Sequence, residues 1–303
     1  MADRRLQVFH TVARLLSFTK AAEELHMTQP AVTFQVRQLE EYFNTRLFDR
    51  THNRISLTEA GTRVYGYAEE IFRLYGEMDN SVRELTGEIS GVLILGASTT
   101  VAEYMLPHLL GDFKDKFPEV AIRLKVANTD GIVSQVENNT IDLGVVEAPV
   151  ANKNLVVEKC LTDQMVLIVP LSHPLAQKES VTMEQLIEHP FICREEGSGT
   201  REVVIDHLHH AGVNPADMNF TMELGSLEAI KRAVEAGMGV SILSRATIAK
   251  ELKLGTLTAV GLEPPINRPF SFVHQKQKFR ARAMDELLNF ARQYCQSHQD
   301  DFS

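Results

Sequence analysis

Apolar residues at Leu6, Phe9, Val12, Ala13 and Leu16 recur at helical spacing and predict a first amphipathic helix. Ser17 or Thr19 can cap a second, short helix through Ala21, Ala22 and Leu25. The chain restarts at Met27-Thr28-Gln29-Pro30. Thr28 suits an N-cap, and Pro30 suits a first turn whose amide would be unpaired anyway. A third helix follows through Ala31, Val32, Val36 and Leu39, with Gln29, Thr33, Phe34 and Arg37 on its other faces. Leu47/Phe48 and Ile55/Leu57 then flank a polar, Asn-containing turn, as a small hairpin would. From Thr58 to Leu85 there is no proline. Ala60, Val64, Tyr67, Ile71, Leu74, Met78, Ser81 and Leu85 alternate in steps of four and three, an a/d seam apolar at all but Ser81. A helix of about 28 residues spans roughly 42 Å, too long for one side of a small core. Gly66 and Gly76 each weaken it by up to about 1 kcal/mol relative to Ala, so support from a partner is expected.

Gly87-Glu88-Ile89-Ser90-Gly91 reads as a hinge, and beyond it the period changes. Short apolar runs at Val92–Leu95, Ala121–Val126, Ile141–Val146, Met165–Val169, Phe191–Arg194, Phe220–Leu224 and Val240–Leu243 predict strands. Helical stretches lie between them, around Val101–Phe117, Glu202–Ala211 and Leu227–Ala236. The alternation predicts an α/β body with largely parallel sheets, whose ligands sit at the carboxyl ends of strands.

Charge sharpens this division. The 303 residues carry a net charge of −9, which taken whole argues against nucleic acid. Residues 1–66 hold nine Lys/Arg and seven Asp/Glu, net +2, so the rest of the chain stands at −11. A basic head on an acidic body is the pattern of a nucleic-acid module joined to something else. Composition excludes disordered and collagenous classes, and no apolar run approaches the ~18 residues of a membrane span. The N-terminus lacks the apolar stretch of a signal peptide, so a cytoplasmic location is expected. Cys160, Cys193 and Cys295 are odd in number and far apart, which suggests no disulfide framework and no metal site. Cys160 and Cys193 read as core residues.

Two short helices joined by a tight turn, the second with polar residues at its start, suit entry into a major groove. Gln and Arg can read adenine and guanine edges, and Thr can reach a base or a thymine methyl. Thr28, Gln29, Pro30, Thr33, Phe34 and Arg37 are therefore the expected base-facing set, and Arg50, His52 and Arg54 the wing contacts to phosphate or minor groove. The plainer alternative is a small helical subdomain with a solvated basic loop. In the body, Gly96-Ala97-Ser98-Thr99-Thr100 and Gly197-Ser198-Gly199-Thr200 each follow a predicted strand, about 100 residues apart. Small hydroxyl residues at a helix start offer OH groups and free amides to an anion, although simple capping would use them too. Arg201 in a first helical turn opposes the dipole, which an anion beside it would explain; it could equally swing into solvent. His207 and His210 lack a third metal ligand, and no G-x-S-x-G, P-loop or G-x-G-x-x-G is present. Neither a catalytic constellation, a metal nor a cofactor is expected.

The residues Phe9-His10-Thr11-Val12-Ala13, Ser17-Phe18-Thr19-Lys20-Ala21-Ala22-Glu23-Glu24-Leu25, Thr28-Gln29-Pro30-Ala31-Val32-Thr33, Leu47-Phe48-Asp49-Arg50 and Leu57-Thr58-Glu59-Ala60-Gly61 resemble the winged helix-turn-helix of LysR-type transcriptional regulators. Phe34 stands where many members carry a polar or basic residue, and could pack on a thymine methyl or on the protein. In the body, Ala236-Gly237-Met238-Gly239-Val240-Ser241-Ile242-Leu243 matches the family's glycine turn, with Ser244 where Pro is common. Asn128-Thr129, Ile141-Asp142-Leu143-Gly144 and residues 194–201 look closest to the branch controlling sulfur assimilation or carbon fixation.

The resemblance implies a winged helix-turn-helix over residues 1–58, a linker and dimerisation helix over 59–87 and an effector-binding domain over 91–303. That domain would have two α/β lobes of the periplasmic-binding-protein kind, lobe 1 from about 91–162 and 267–303 and lobe 2 from about 163–266. Ser98, Thr99, Thr100, Asn128, Thr129, Glu147, Gly199 and Thr200 would line the cleft, joined by Arg201 from its own placement. Glu147 sits awkwardly with an inorganic anion and favours a ligand bearing an amine or hydroxyl, or a rim position. The implied partners are double-stranded operator DNA, a small co-inducer expected to be anionic, a second copy through the linker helix, a homotetramer, and RNA polymerase as a further candidate; no membrane is implied. A small-molecule binding protein, or an enzyme on a phosphorylated substrate, is the alternative.

Overall fold

The structure, a computed structural model, describes residues 3–51, 54–84, 89–276 and 281–299. The chain divides into two compact units, Met1–Glu88 and Ile89–Ser303.

In the first unit, α1 (Arg4–Leu15), α2 (Phe18–Glu24) and α3 (Gln29–Phe43) precede a hairpin of β1 (Phe48–Thr51) and β2 (Arg54–Leu57) and the long α4 (Glu59–Glu84). Ser17, rather than Thr19, caps α2, accepting from the Lys20 amide. Thr28 occupies the N-cap of α3, but its side chain makes no capping bond. Val8, Phe9, Val12, Phe18, Val32, Val36, Leu39, Leu47 and Phe48 form the core, with Phe9 and Phe18 both against the Phe48 ring. Glu40 orients the hairpin's entry by accepting from the Leu47 and Phe48 amides at 2.8 and 3.3 Å. The Leu57–Gly61 string has a steric cause. Thr58 Oγ1 accepts from the Gly61 amide and donates to the Arg46 carbonyl, and a Cβ on Gly61 would lie 2.0 Å from the Leu47 carbonyl oxygen. The start of α4 packs on this core through Ala60, Val64 and Tyr65. Its later seam residues Tyr67, Ile71, Leu74 and Met78 are all exposed. Leu85 lies outside the described residues.

The second unit begins with β3 (Gly91–Ser98), α5 (Thr99–Tyr104), α6 (Leu106–Lys116), β4 (Val120–Ala127), α7 (Thr129–Glu137), β5 (Leu143–Val146) and the long β6 (Leu155–Pro170). There follow β7 (Ser180–Val181), α8 (Met183–Leu186), β8 (Phe191–Arg194), α9 (Gly199–His210), β9 (Phe220–Leu224), α10 (Leu227–Glu235) and β10 (Ser241–Ser244). The unit closes with α11 (Ala249–Leu254), β11 (Leu257–Leu262), β12 (Ile266–Gln275) and α12 (Arg282–Ser297). The helix expected around Val101–Phe117 is two, broken at Met105, with Pro107 in the first turn of α6.

The expectation of largely parallel sheets is corrected. One eight-stranded mixed sheet runs β4-β3-β5-β12-β6-β11-β7, with β10 also paired to β6. Among the described residues, the parallel strand pairs are those of β3 with β4 and β5, β11 with β7 and the separate β8 with β9, joined by a parallel bridge between Phe191 and Val240. The cause is an antiparallel ribbon of β6 and β12, from Ile266 opposite Met165 to Gln275 opposite Leu155. Because β6 and β12 are shared, two lobes hang on one sheet. In lobe 1, Leu95, Val101, Leu109 and Phe113 pack with Leu287 and Leu288 of α12. In lobe 2 the strand alternation splits β6: Met165, Leu167 and Val169 face Val204 and Leu208, whereas Val166 and Ile168 face Leu227, Ile230 and Val234.

The cysteines also differ from expectation. Cys160 of β6 and Cys295 of α12 form a disulfide, their Cα atoms 5.6 Å apart across 135 residues of sequence. The separation hid a proximity that arises only when α12 returns to lobe 1. Cys193 is free and buried, as a core residue should be, and burial pushes its thiol up.

Candidate functional site

Two surfaces carry the expected chemistry. On the first unit, α3 presents Thr28, Gln29, Pro30, Phe34 and Arg37 to solvent, with Thr33 half-buried. Arg37 Nε lies 3.4 Å from Glu41 one turn on, an exposed pair that a phosphate or base could displace. Phe34 is 57% exposed, so it does not pack into the head. Arg50 and Arg54 lie on the paired strands of the hairpin, opposite Ile55 and Thr51 respectively. His52 lies outside the described residues.

The second surface is the cleft between the lobes. Three helix starts meet there: α5 after Ser98, α7 after Asn128 and α9 after Ser198. Asn128 caps α7 by accepting from the Gly131 amide, and its Nδ2 donates across the cleft to the Glu196 carbonyl at 3.1 Å. The Asp130 amide donates to the Gly197 carbonyl at 3.3 Å. This approach requires glycine. Gly197 has φ +78°, and a Cβ on Gly199 would lie 2.6 Å from Thr129 Oγ1 and 2.9 Å from the Ala148 Cβ.

Beneath this junction is a buried polar cluster. Arg268 on β12 donates from Nε to Asp163 on β6 at 2.7 Å and from Nη1 to Thr200 Oγ1 at 2.8 Å. Ser244 donates to the other Asp163 oxygen at 2.6 Å. Arg194, at the end of β8, forks onto Glu195 with bonds of 2.7 and 2.9 Å. Hydrogen-bonding capacity nevertheless remains unused by any protein group at Ser98 Oγ, Thr100 Oγ1, Thr129 Oγ1, Ser198 Oγ, Glu147 Oε2, Arg194 Nη1 and Arg268 Nη2. Each such buried atom costs about 1–3 kcal/mol unless water or a guest engages it. Burial pushes the Glu147 carboxyl up, against the pull of Arg268 and Arg194.

Of the cleft residues expected from sequence, Ser98, Thr100, Thr129, Glu147, Gly199 and Thr200 come together here and are buried. Thr99 is half-buried, and Asn128 works as a cap and lobe contact. Glu147 is 1% exposed, which replaces the rim position with a fully interior one. Arg201 stands apart: it pairs with Glu223 and donates to the Arg194 carbonyl at 3.1 Å, a local use of its charge that needs no anion. Arg194, Arg268 and Asp163 had no expectation attached. Their signal was a charge placed inside an apolar strand run, as in Phe191-Ile192-Cys193-Arg194.

Residues 4–62 match the family described as bacterial regulatory helix-turn-helix protein, lysR family, and residues 86–296 match the LysR substrate binding domain. A RuBisCO operon transcriptional regulator of Allochromatium vinosum is 35% identical over 298 residues, covering 96% of this chain and 97% of its own. The CcmR regulatory domain of Synechocystis PCC6803, solved in complex with 2-PG, is 34% identical with a TM-score of 0.62, covering 67% of this chain and 97% of its own. Full-length CbnR complexed with its target DNA has a TM-score of 0.74 at 22% identity, covering 97% of this chain and 99% of its own, a likeness of fold.

Proposed function

The chain belongs to the LysR family of transcriptional regulators, and on that premise we propose that it switches transcription of carbon-assimilation genes in response to a small phosphorylated or carboxylated anion held between its lobes. The observation that carries the reading is the buried cluster of unengaged donors, Arg194 Nη1 and Arg268 Nη2 with the hydroxyls of Ser98, Thr100, Thr129 and Ser198. Two guanidinium edges and four hydroxyls suit an oxyanion. The relative bound to 2-PG (2-phosphoglycolate) sets the class of ligand to try first.

In this reading Gln29 and Thr33 contact bases, Arg50 and Arg54 contact phosphate or minor groove, and Thr28, Pro30, Phe34, Arg37 and His52 complete the interface. The exposed seam of α4 pairs two copies, and a tetramer places four heads on one operator. The protein works in the cytoplasm and turns over no substrate. Effector binding must favour one lobe arrangement over the other, since equal affinity for both would switch nothing.

Footprinting on the promoter DNA of carbon-fixation genes, with and without 2-phosphoglycolate, tests the reading. The expected result is selective protection whose extent changes with the ligand. Protection that is absent, or indifferent to every anion of this class, would overturn it.

A further inference from the structure

The cleft has a charge imbalance. Arg268 is matched by Asp163, and Arg194 by Glu195. Glu147 has no cation of its own, and its Oε2 has no partner. Asp163 of β6 is also pushed up by burial, but bonds from Arg268 and Ser244 hold it against that, and Glu147 has no such bonds. Thr100 of α5, Arg268 of β12 and Arg194 of β8 face it, and Gly199 at the start of α9 closes over its side chain. Asp130 of α7 stands against the neighbouring Gly197 turn and adds only negative charge.

With Glu147 ionised, the cluster carries a net negative charge, and a further anion would enter against it. With Glu147 protonated, the cluster is neutral and Oε2 becomes one more donor beside the guanidinium edges. A carboxyl kept neutral by its site and used as a hydrogen-bond donor is established chemistry. We infer that Glu147 binds the effector as a neutral carboxyl, so that capture of an anion in this cleft is coupled to uptake of one proton and amines are refused. Burial already pushes this carboxyl up in the free protein, and an anion beside it would push it further, so above the free site's own titration the proton arrives with the ligand. The sensor thereby reads the product of anion and proton activities. It would respond more strongly to the same metabolite when the surrounding pH falls.

This inference rests on the effector reading above, and the test separates the two. The full-length chain is titrated calorimetrically with 2-phosphoglycolate from about pH 7.5 to 9, where the ligand's own phosphate is fully ionised, in two buffers of unequal protonation enthalpy. Wild type is expected to take up as much as one proton per ligand and to lose up to about tenfold in affinity per pH unit. Glu147→Gln keeps shape and a donor NH2, so it should bind with a flat pH profile and no proton uptake, and more tightly than wild type at the alkaline end. Equal proton counts and parallel pH profiles in the two proteins would overturn the proton coupling while leaving the effector reading standing. Failure of wild type to bind either 2-phosphoglycolate or inorganic phosphate at any pH would overturn both.

Discussion

Lys231 of α10 donates to the Tyr104 hydroxyl of α5 at 3.2 Å, a bond between the two lobes made by a lysine that is 3% exposed. The same ammonium meets Glu251 at 2.9 Å, contacts Glu228 and donates to the Thr247 carbonyl at 3.2 Å; burial alone would lower its pKa, but Glu228, Glu251 and Tyr104 outweigh that and hold it charged, well above the ordinary lysine range. The lysine is therefore anchored in lobe 2 and offers one donor to lobe 1. Tyr104→Phe should cost about 0.5–1.5 kcal/mol, the worth of one hydrogen bond. Lys231→Met, which strands the buried Glu251, should cost about 3–5 kcal/mol. Thermal melts of the two variants test this ordering; an equal loss in both would place the weight on Tyr104 instead.

Arg268 and Asp163 are 1% and 0% exposed, so breaking the pair from one side leaves a buried charge. Arg268→Met should destabilise the second unit by about 3–5 kcal/mol. The double change Arg268→Met/Asp163→Leu should recover most of that stability, because the residues left are apolar. Anion binding should stay lost in both. Denaturant unfolding and calorimetry on the same preparations separate the structural role of the pair from the binding role of the guanidinium.

The α4 seam is expected to pair two copies. Leu74 is 50% exposed within the single chain, so Leu74→Glu should leave the melting of the head within about 0.5 kcal/mol of wild type. The dimer should weaken by 100-fold or more, because a carboxylate would have to be desolvated in an apolar seam. Light scattering across a dilution series reads this directly, and an unchanged dimer would move the interface elsewhere.

His10 stacks on Tyr65 with centroids 5.1 Å apart and meets the Phe72 ring edge-on at 5.1 Å, so α1 holds α4 through an imidazole. Burial lowers its pKa below the ordinary histidine value of 6.5. The unfolded chain then takes up the proton more readily than the folded one. Stability from this residue is full above about pH 6.5 and declines as pH falls through the window below it. His10→Phe should flatten the acid limb of the head's melting profile between about pH 7 and 5.5, whereas a profile identical to wild type would assign that limb to other groups.

The head was legible because local rules decide it. The spacing of Phe9, Val12, Val32, Val36 and Leu39, the Ser17 cap and Pro30 each act within a few residues. The cleft hydroxyls were legible for the same reason, as residues at strand-to-helix turns. Arg268, Asp163 and Arg194 were not. Their strands mix charges with apolar residues, and only tertiary pairing explains why those charges are inside. Of β6 only its apolar half, Met165–Val169, had a visible pattern, because Glu158, Lys159 and Asp163 interrupt the rest. Ser244 is an unusual residue in the strand after the glycine turn, where Pro is common. Its meaning came only with its bond to Asp163. The Cys160–Cys295 link likewise depends on where the last helix returns, which no local signal encodes.

The chain passes between its lobes along β6 and returns along β12, and the two strands are hydrogen-bonded neighbours in one ribbon. Two separated connections would act as independent pivots and let the lobes twist as well as bend. A ribbon of paired strands resists shear and splaying but flexes about an axis across its width. Bending across its width is therefore the motion this ribbon resists least, and Asp163 and Arg268 stand opposite each other within it. A ligand in the cleft would then be felt outside it chiefly as a change of angle between the lobes.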